Sequence, residues 1–134
     1  MEYIRGMEFN ISGIIDEFGC PVLDCAVCNN STMKKVSVKA LIDTGAFNFH
    51  VKQSVIDLLK LPQLSLQEGN YAMEGKLTKL SYEGSLEIED IIFPKIMILP
   101  LDESFNYDFL IGVQFLIGFV FNYEGQRRKW SIYV

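Results

Sequence analysis

Along most of the chain apolar and polar positions alternate with a period of two. Val36, Val38, Ala40 and Ile42 fall on one face and Ser37 and Lys39 on the other, which predicts a half-buried strand running into Asp43. Tyr82, Gly84, Leu86 and Ile88 alternate with Glu83, Ser85, Glu87 and Glu89, a second strand with one wet face. Ile96-Met97-Ile98-Leu99 and Phe109-Leu110-Ile111 are continuous apolar runs, the pattern of central strands covered on both faces. Phe119-Val120-Phe121 and Trp130 to Val134 flank Asn122 to Gln126, which predicts a C-terminal hairpin with Gly125 supplying a positive φ. Helical spacing occurs only from Gln53 to Lys60, stopped by Pro62, and in a short turn from Val113 to Ile117. Many short strands with one or two small helices make an all-β barrel or sandwich.

The 134 residues, 49% of them hydrophobic, suit one domain spanning residues 1–134 that builds a core without staples. Twelve Lys and Arg against 17 Asp and Glu leave a net charge of −5, and no basic cluster exceeds Arg127-Arg128-Lys129. A nucleic-acid partner, which needs several cationic phosphate contacts, is not expected. The longest apolar stretch, Phe109 to Phe121, is broken by Gln114 and falls short of the ~20 residues of a membrane-spanning helix, so no membrane partner is expected either. The N-terminal residues carry no secretory pattern, and three Cys, an odd number, suit free thiols. A cytoplasmic location follows as the expectation.

The candidate chemistry lies in Ala40-Leu41-Ile42-Asp43-Thr44-Gly45-Ala46, where an apolar strand delivers one carboxylate into a tight turn. An acid at a buried strand end needs hydrogen-bond donors or a shared proton, although an Asp that merely caps a turn has the same local sequence. The order of the features that follow is informative. Leu41 to Ala46, Asn48 and Val51, the segment Gln53 to Pro62, and Tyr107-Asp108-Phe109-Leu110-Ile111-Gly112 followed by Gln114-Phe115-Leu116 together resemble the retropepsin-like aspartic proteases, the single-domain, retroviral-type members of the pepsin superfamily. The resemblance runs from about Gly13 to Tyr133. It implies a closed acid-protease barrel, with Asp43, Thr44 and Gly45 as the catalytic triplet and Leu110, Ile111 and Gly112 packed beneath it. Phe47, Phe49 and His50 depart from the family's pattern by their bulk.

One Asp per chain cannot make a proton-sharing pair, so the resemblance implies a homodimer in which Asp43 of each subunit meets on a two-fold axis. Thr44 would hold the two turns together, and Gly45 would keep the backbone close to the carboxylates. The implied reaction is hydrolysis of a peptide or protein substrate, without a cofactor. The cleft would be lined by Ala46, Asn48, Leu110 and Ile111 and covered by a hairpin from Asn70 to Leu80 with Met73, Glu74 and Gly75 at its tip. The terminal segments Met1 to Glu8 and Trp130 to Val134 are the expected dimer contacts.

Two other readings stay open at this level. A noncatalytic dimerisation or peptide-binding module would keep the same barrel. A metal-binding β domain would use Cys20, Cys25 and Cys28, but a fourth ligand is missing apart from the distant His50, and Cys25 and Cys28 have opposite parity on a strand. No metal site is therefore expected.

Overall fold

A computed structural model of the chain describes residues 10–71 and 75–134. Ten strands and two short helices follow in the order β1 (Asn10–Ile15), β2 (Pro21–Cys28), β3 (Lys35–Ile42), β4 (Phe49–Lys52), α1 (Gln53–Leu59), β5 (Gln63–Tyr71), β6 (Gly75–Ile88), β7 (Ile91–Leu101), β8 (Phe109–Ile111), α2 (Val113–Leu116), β9 (Val120–Glu124) and β10 (Lys129–Tyr133). The strands form one sheet in the order β5-β6-β7-β4-β8-β3-β2-β1-β10-β9. A further pairing of β6 with β2, Val27 opposite Leu86, closes six of them into a barrel, β2-β3-β8-β4-β7-β6. Closure removes two edges that would otherwise expose unpaired backbone.

The predicted alternation is seen in β3, where Val38, Ala40 and Ile42 are buried and Ser37 and Lys39 face out. Phe109, Leu110 and Ile111 are all buried, as a central strand requires. The core also takes Phe49, Phe93, Phe115 and Trp130, with Phe93 and Phe115 packed edge to face at 5.1 Å between ring centroids. Trp130 lies over Gly13, where a Cβ would come within 2.5 Å of the indole, and donates its Nε1–H to the Val22 carbonyl at 3.0 Å.

Two local expectations change. The face of β6 that carries Glu83 and Glu87 is not simply wet: Ser81 and Ser85 on it are buried, because β6 is flanked by β5 and β7 and, at its far end, also by β2. Ser81 meets its burial by donating its hydroxyl to the Ser65 carbonyl at 2.9 Å. In the C-terminal hairpin the positive φ belongs to Arg128, at 55°, and not to Gly125. Arg128 N–H bonds the Gly125 carbonyl at 3.2 Å, so the left-handed residue comes at the end of the turn rather than at its start. α1 stops at Lys60, whose left-handed φ of 51° ends the helix ahead of Pro62.

No helix among the described residues is long and apolar enough to cross a membrane. β10 lies inside the sheet, with one edge on β1 and the other on β9. Met1 to Glu8 lie outside the described residues.

Candidate active site

β3 and β4, joined by the turn that carries Asp43, do not pair with each other. β8 is inserted between them, parallel to β3 with Ile42 opposite Ile111 and antiparallel to β4 with His50 opposite Leu110. A short strand with no polar side chain can occupy that position because it is covered on both faces. The arrangement lifts the Asp43 turn onto the end of β8.

The turn is fastened from below by the segment that follows β8. Asp43 N–H donates to the Ile111 carbonyl at 2.9 Å, Val113 N–H to the Ala46 carbonyl at 2.7 Å, and Gln114 N–H to the Phe47 carbonyl at 3.0 Å. The first amides of α2, which have no partner within the helix, thus take up carbonyls of the loop. Gly112 is the point of closest approach: a Cβ there would stand 2.3 Å from the Asn48 carbonyl oxygen and 2.5 Å from the backbone of Phe47. Its φ of −82° is ordinary, so glycine is required by space and not by backbone conformation.

Inside the turn, Gly45 N–H donates to Asp43 Oδ1 at 2.8 Å, and Ala46 N–H donates to the Asp43 carbonyl at 3.1 Å. A Cβ on Gly45 would sit 3.1 Å from the same Oδ1, so a larger residue would crowd the carboxylate. Asp43 is half-buried, Thr44 and Gly45 are exposed, and Ala46 and Asn48 are half-buried. The carboxylate therefore stands at the surface with one oxygen bound by a backbone amide, open to a second group. Phe47, in the same loop, is 58% exposed, whereas Phe49 turns into the core at 3%. Leu110 and Ile111, at 4% and 0%, form the floor under the turn.

Two clasps that the sequence did not announce hold the entry to β8. Asp108 binds both neighbours of that strand: its Oδ2 accepts from Lys39 N–H at 3.2 Å, its N–H donates to the Lys39 carbonyl at 3.0 Å, and its Oδ1 lies 3.5 Å from Lys52 Nζ. Tyr107 donates its hydroxyl to Asp16 Oδ2 at 2.5 Å, across 91 residues of sequence. That bond is the main cause holding the Asp16 carboxyl below its ordinary value of 3.8. Burial, followed by the same bond, pushes the Tyr107 hydroxyl well above its ordinary value. The family resemblance places Asp108 just ahead of β8 without saying what it binds, and Asp16, one of two adjacent acids in a turn, offered no signal.

The arms of the β5–β6 hairpin are present, with Asn70 opposite Lys76 and Tyr71 opposite Gly75. Met73 and Glu74 lie outside the described residues. Cys20, Cys25 and Cys28 are free thiols, and among the described residues no group of three or more His, Cys, Asp or Glu side chains is placed to hold a metal ion. Burial, aided by the charge of Asp24, pushes the Cys25 thiol up to about 12. His50 is buried in β4 and engaged there.

No family model and no curated protein matches the chain. Among solved structures the chain is similar to a retropepsin-like aspartic protease from Rickettsia conorii, with 16% identity and a TM-score of 0.63 over 95% of this chain and 92% of that one. With β8 threaded between β3 and β4 in a closed six-stranded barrel and two short helices, the chain has the retropepsin-like fold.

Proposed function

We propose that the chain is an aspartic endopeptidase that works as a homodimer, with Asp43 of each subunit forming one proton-sharing pair. The observation that carries this reading is the Asp43-Thr44-Gly45 turn. It presents a half-buried carboxylate at the surface, braced by Gly45 N–H at 2.8 Å, on the retropepsin-like fold.

Two carboxyl groups brought to hydrogen-bond distance cannot both ionise, so the pair keeps one proton. The ionised member takes a proton from a water held between them, and the protonated member gives its own to the amide being cleaved. Asp43 is the catalytic residue of each subunit. Gly45 fixes the carboxylate's rotamer through its amide, and Thr44, exposed beside it, faces the second turn. Ala46, Asn48 and the exposed Phe47 form the rim over which a peptide or protein substrate lies, above the floor of Leu110 and Ile111. The β5–β6 hairpin, with Met73, Glu74 and Gly75 at its tip, covers the substrate. No cofactor takes part. The cytoplasm, where the three thiols stay reduced, is the proposed location.

The test is Asp43→Asn in the full chain, assayed with a peptide library. The amide fills the same space but cannot act as a base, so hydrolysis should fall to background while the thermal melt stays within a few degrees of wild type. Turnover retained in this variant would reject the assignment. A wild type without turnover on any peptide would favour the noncatalytic module with the same barrel.

A further inference from the structure

A groove of about 520 Å³ runs between the turn that joins β1 to β2, the middle of β3, the segment ahead of β8 and the end of the C-terminal hairpin. Its size falls within the range of about 300–1,000 Å³ usual for ligand sites. No residue of the Asp43 turn lines it. Lys39, on its wall, precedes Asp43 by four residues, about 13 Å of extended chain, so the groove lies apart from the place where the proposed dyad would form.

The wall divides by chemistry. Ile14, 64% exposed, and Phe18, 74% exposed, supply apolar surface. Lys39 and Arg128 supply two positive charges, and neither forms a salt bridge among the described residues. Arg128 donates its Nε–H to the Ile15 carbonyl at 3.3 Å, which anchors the side chain and leaves the two terminal nitrogens of the guanidinium. The acids of the groove do not cancel these charges equally. Asp16 is committed to its own turn and to Tyr107: its Oδ1 accepts from Phe18 N–H at 2.9 Å and Cys20 N–H at 3.0 Å, and its Oδ2 from the Tyr107 hydroxyl. Glu17 is exposed and remains as an acceptor.

We propose that this groove binds the C-terminal residue of a peptide, with the carboxylate held by Lys39 and Arg128 and an apolar side chain laid on Ile14 and Phe18. The planar guanidinium matches a carboxylate in two parallel hydrogen bonds, and the lysine adds a second, movable charge. Both cations border apolar surface in a chain whose net charge is −5, so the groove is a local exception to the acidic whole. Glu17 separates a peptide end from a bare organic acid. The last residue of a peptide carries an N–H beside its carboxylate, and Glu17 can accept it; an aliphatic acid offers no such donor. The site uses no part of Asp43, so it stands independently of the endopeptidase reading.

The probe is N-acetyl-Ala-Leu, titrated into the full chain and followed through backbone amide shifts in NMR spectra. The shifts should gather at Ile14, Phe18, Lys39 and Arg128 and saturate with a Kd on the order of 1 mM. The same dipeptide with a C-terminal amide keeps the side chain and loses the charge, and should bind about tenfold more weakly. Lys39→Gln should weaken the acid about tenfold without disturbing the fold, because Asp108 holds only the backbone of Lys39. 4-Methylpentanoate, which has the side chain and the carboxylate but no N–H, should bind wild type about fivefold more weakly than the dipeptide, and the gap should close in Glu17→Ala. Equal binding of acid and amide, full affinity in Lys39→Gln, or shifts confined to the Asp43 turn would overturn the carboxylate site. Equal binding of 4-methylpentanoate and the dipeptide to wild type would overturn the peptide assignment and give the groove to free organic acids. Binding is read without turnover, so neither result depends on whether Asp43 is catalytic.

Discussion

Replacing Gly112 by Ala adds one methyl group at the tightest point of the molecule. Its Cβ would stand 2.3–2.5 Å from backbone atoms of Phe47 and Asn48, where non-bonded carbon contacts settle at about 3.5 Å, so one segment must retreat by about 1 Å. Neither side yields cheaply. Phe47 and Ala46 are tied to α2 by hydrogen bonds of 3.0 and 2.7 Å, and Gly112 continues from Ile111, which is fully buried. Overpacking of this kind costs about 1–3 kcal/mol, and breaking one of the turn's hydrogen bonds adds about 1 kcal/mol, which places the loss at about 2–4 kcal/mol. For a chain of this length that lowers the melting temperature by roughly 6–16 °C. The effect on activity should be larger than the effect on the population of folded protein, because a displacement of about 1 Å in a catalytic group costs about 100-fold in rate. The assay is kcat/KM for a cleaved peptide, measured well below the variant's melting temperature, beside a calorimetric scan. A contrasting variant, Gly118→Ala, sits at a φ of 91° with nothing within 4 Å of the added Cβ. It should cost only about 1 kcal/mol through backbone strain and leave kcat/KM near wild type. A Gly112→Ala protein with wild-type melting and wild-type kcat/KM would refute the close-approach argument.

Tyr107→Phe removes the donor that holds the Asp16 carboxyl below 3.8, a group whose contribution to stability is present above that value and lost as pH falls through the lower native one. The variant should therefore show a shallower fall in melting temperature between about pH 4 and pH 2, and identical slopes in the two proteins would reject the clasp. At the alkaline end the sign reverses, because the raised Tyr107 group stabilises the fold below about pH 10 and loses that contribution as it ionises, so wild type should weaken more steeply there than the variant. With the Cys25 thiol pushed up to about 12, its thiolate fraction at pH 8 is about 10⁻⁴, so iodoacetamide should label half-exposed Cys20 first and Cys25 only after unfolding. Equal labelling rates in the native protein would contradict the burial of Cys25.

The strands were legible where one face is buried and the other wet, because burial on one side imposes a period of two. β3 shows this from Val36 to Ile42. The same rule misled for β6, whose acidic face looked wet but lies partly under neighbouring strands, since alternation along a strand carries no information about a third strand pairing with it. The apolar run Phe109 to Ile111 announced a buried strand but not its neighbours: three apolar residues do not encode that it is parallel to β3 and antiparallel to β4. Gly125 shows a further limit. A hairpin loop needs a left-handed residue, and glycine is the cheapest choice, yet the loop closes with Arg128 in that conformation while its side chain donates to the Ile15 carbonyl at 3.3 Å.

The Asp43 turn itself shows why a short motif carries less information than its surroundings. Nothing in Asp-Thr-Gly separates a capping acid from a reactive one, and the turn's internal bond from Gly45 N–H to Asp43 Oδ1 would form in either case. What differs is how the backbone of the loop is satisfied. A capping Asp spends its oxygens on the amides of its own loop. Here the loop's carbonyls at Ala46 and Phe47 are taken by α2 and the Asp43 amide by the Ile111 carbonyl, so the segment 111–114 fastens the backbone from below and the Asp43 side chain is left with the single bond from Gly45 N–H. One carboxylate oxygen then carries no hydrogen bond within the described residues. The motif and the Ile111-Gly112 segment become informative only as a pair, because the second takes over most of the fastening and leaves one oxygen of the first uncommitted. That is the physical content of finding both in one chain and in this order.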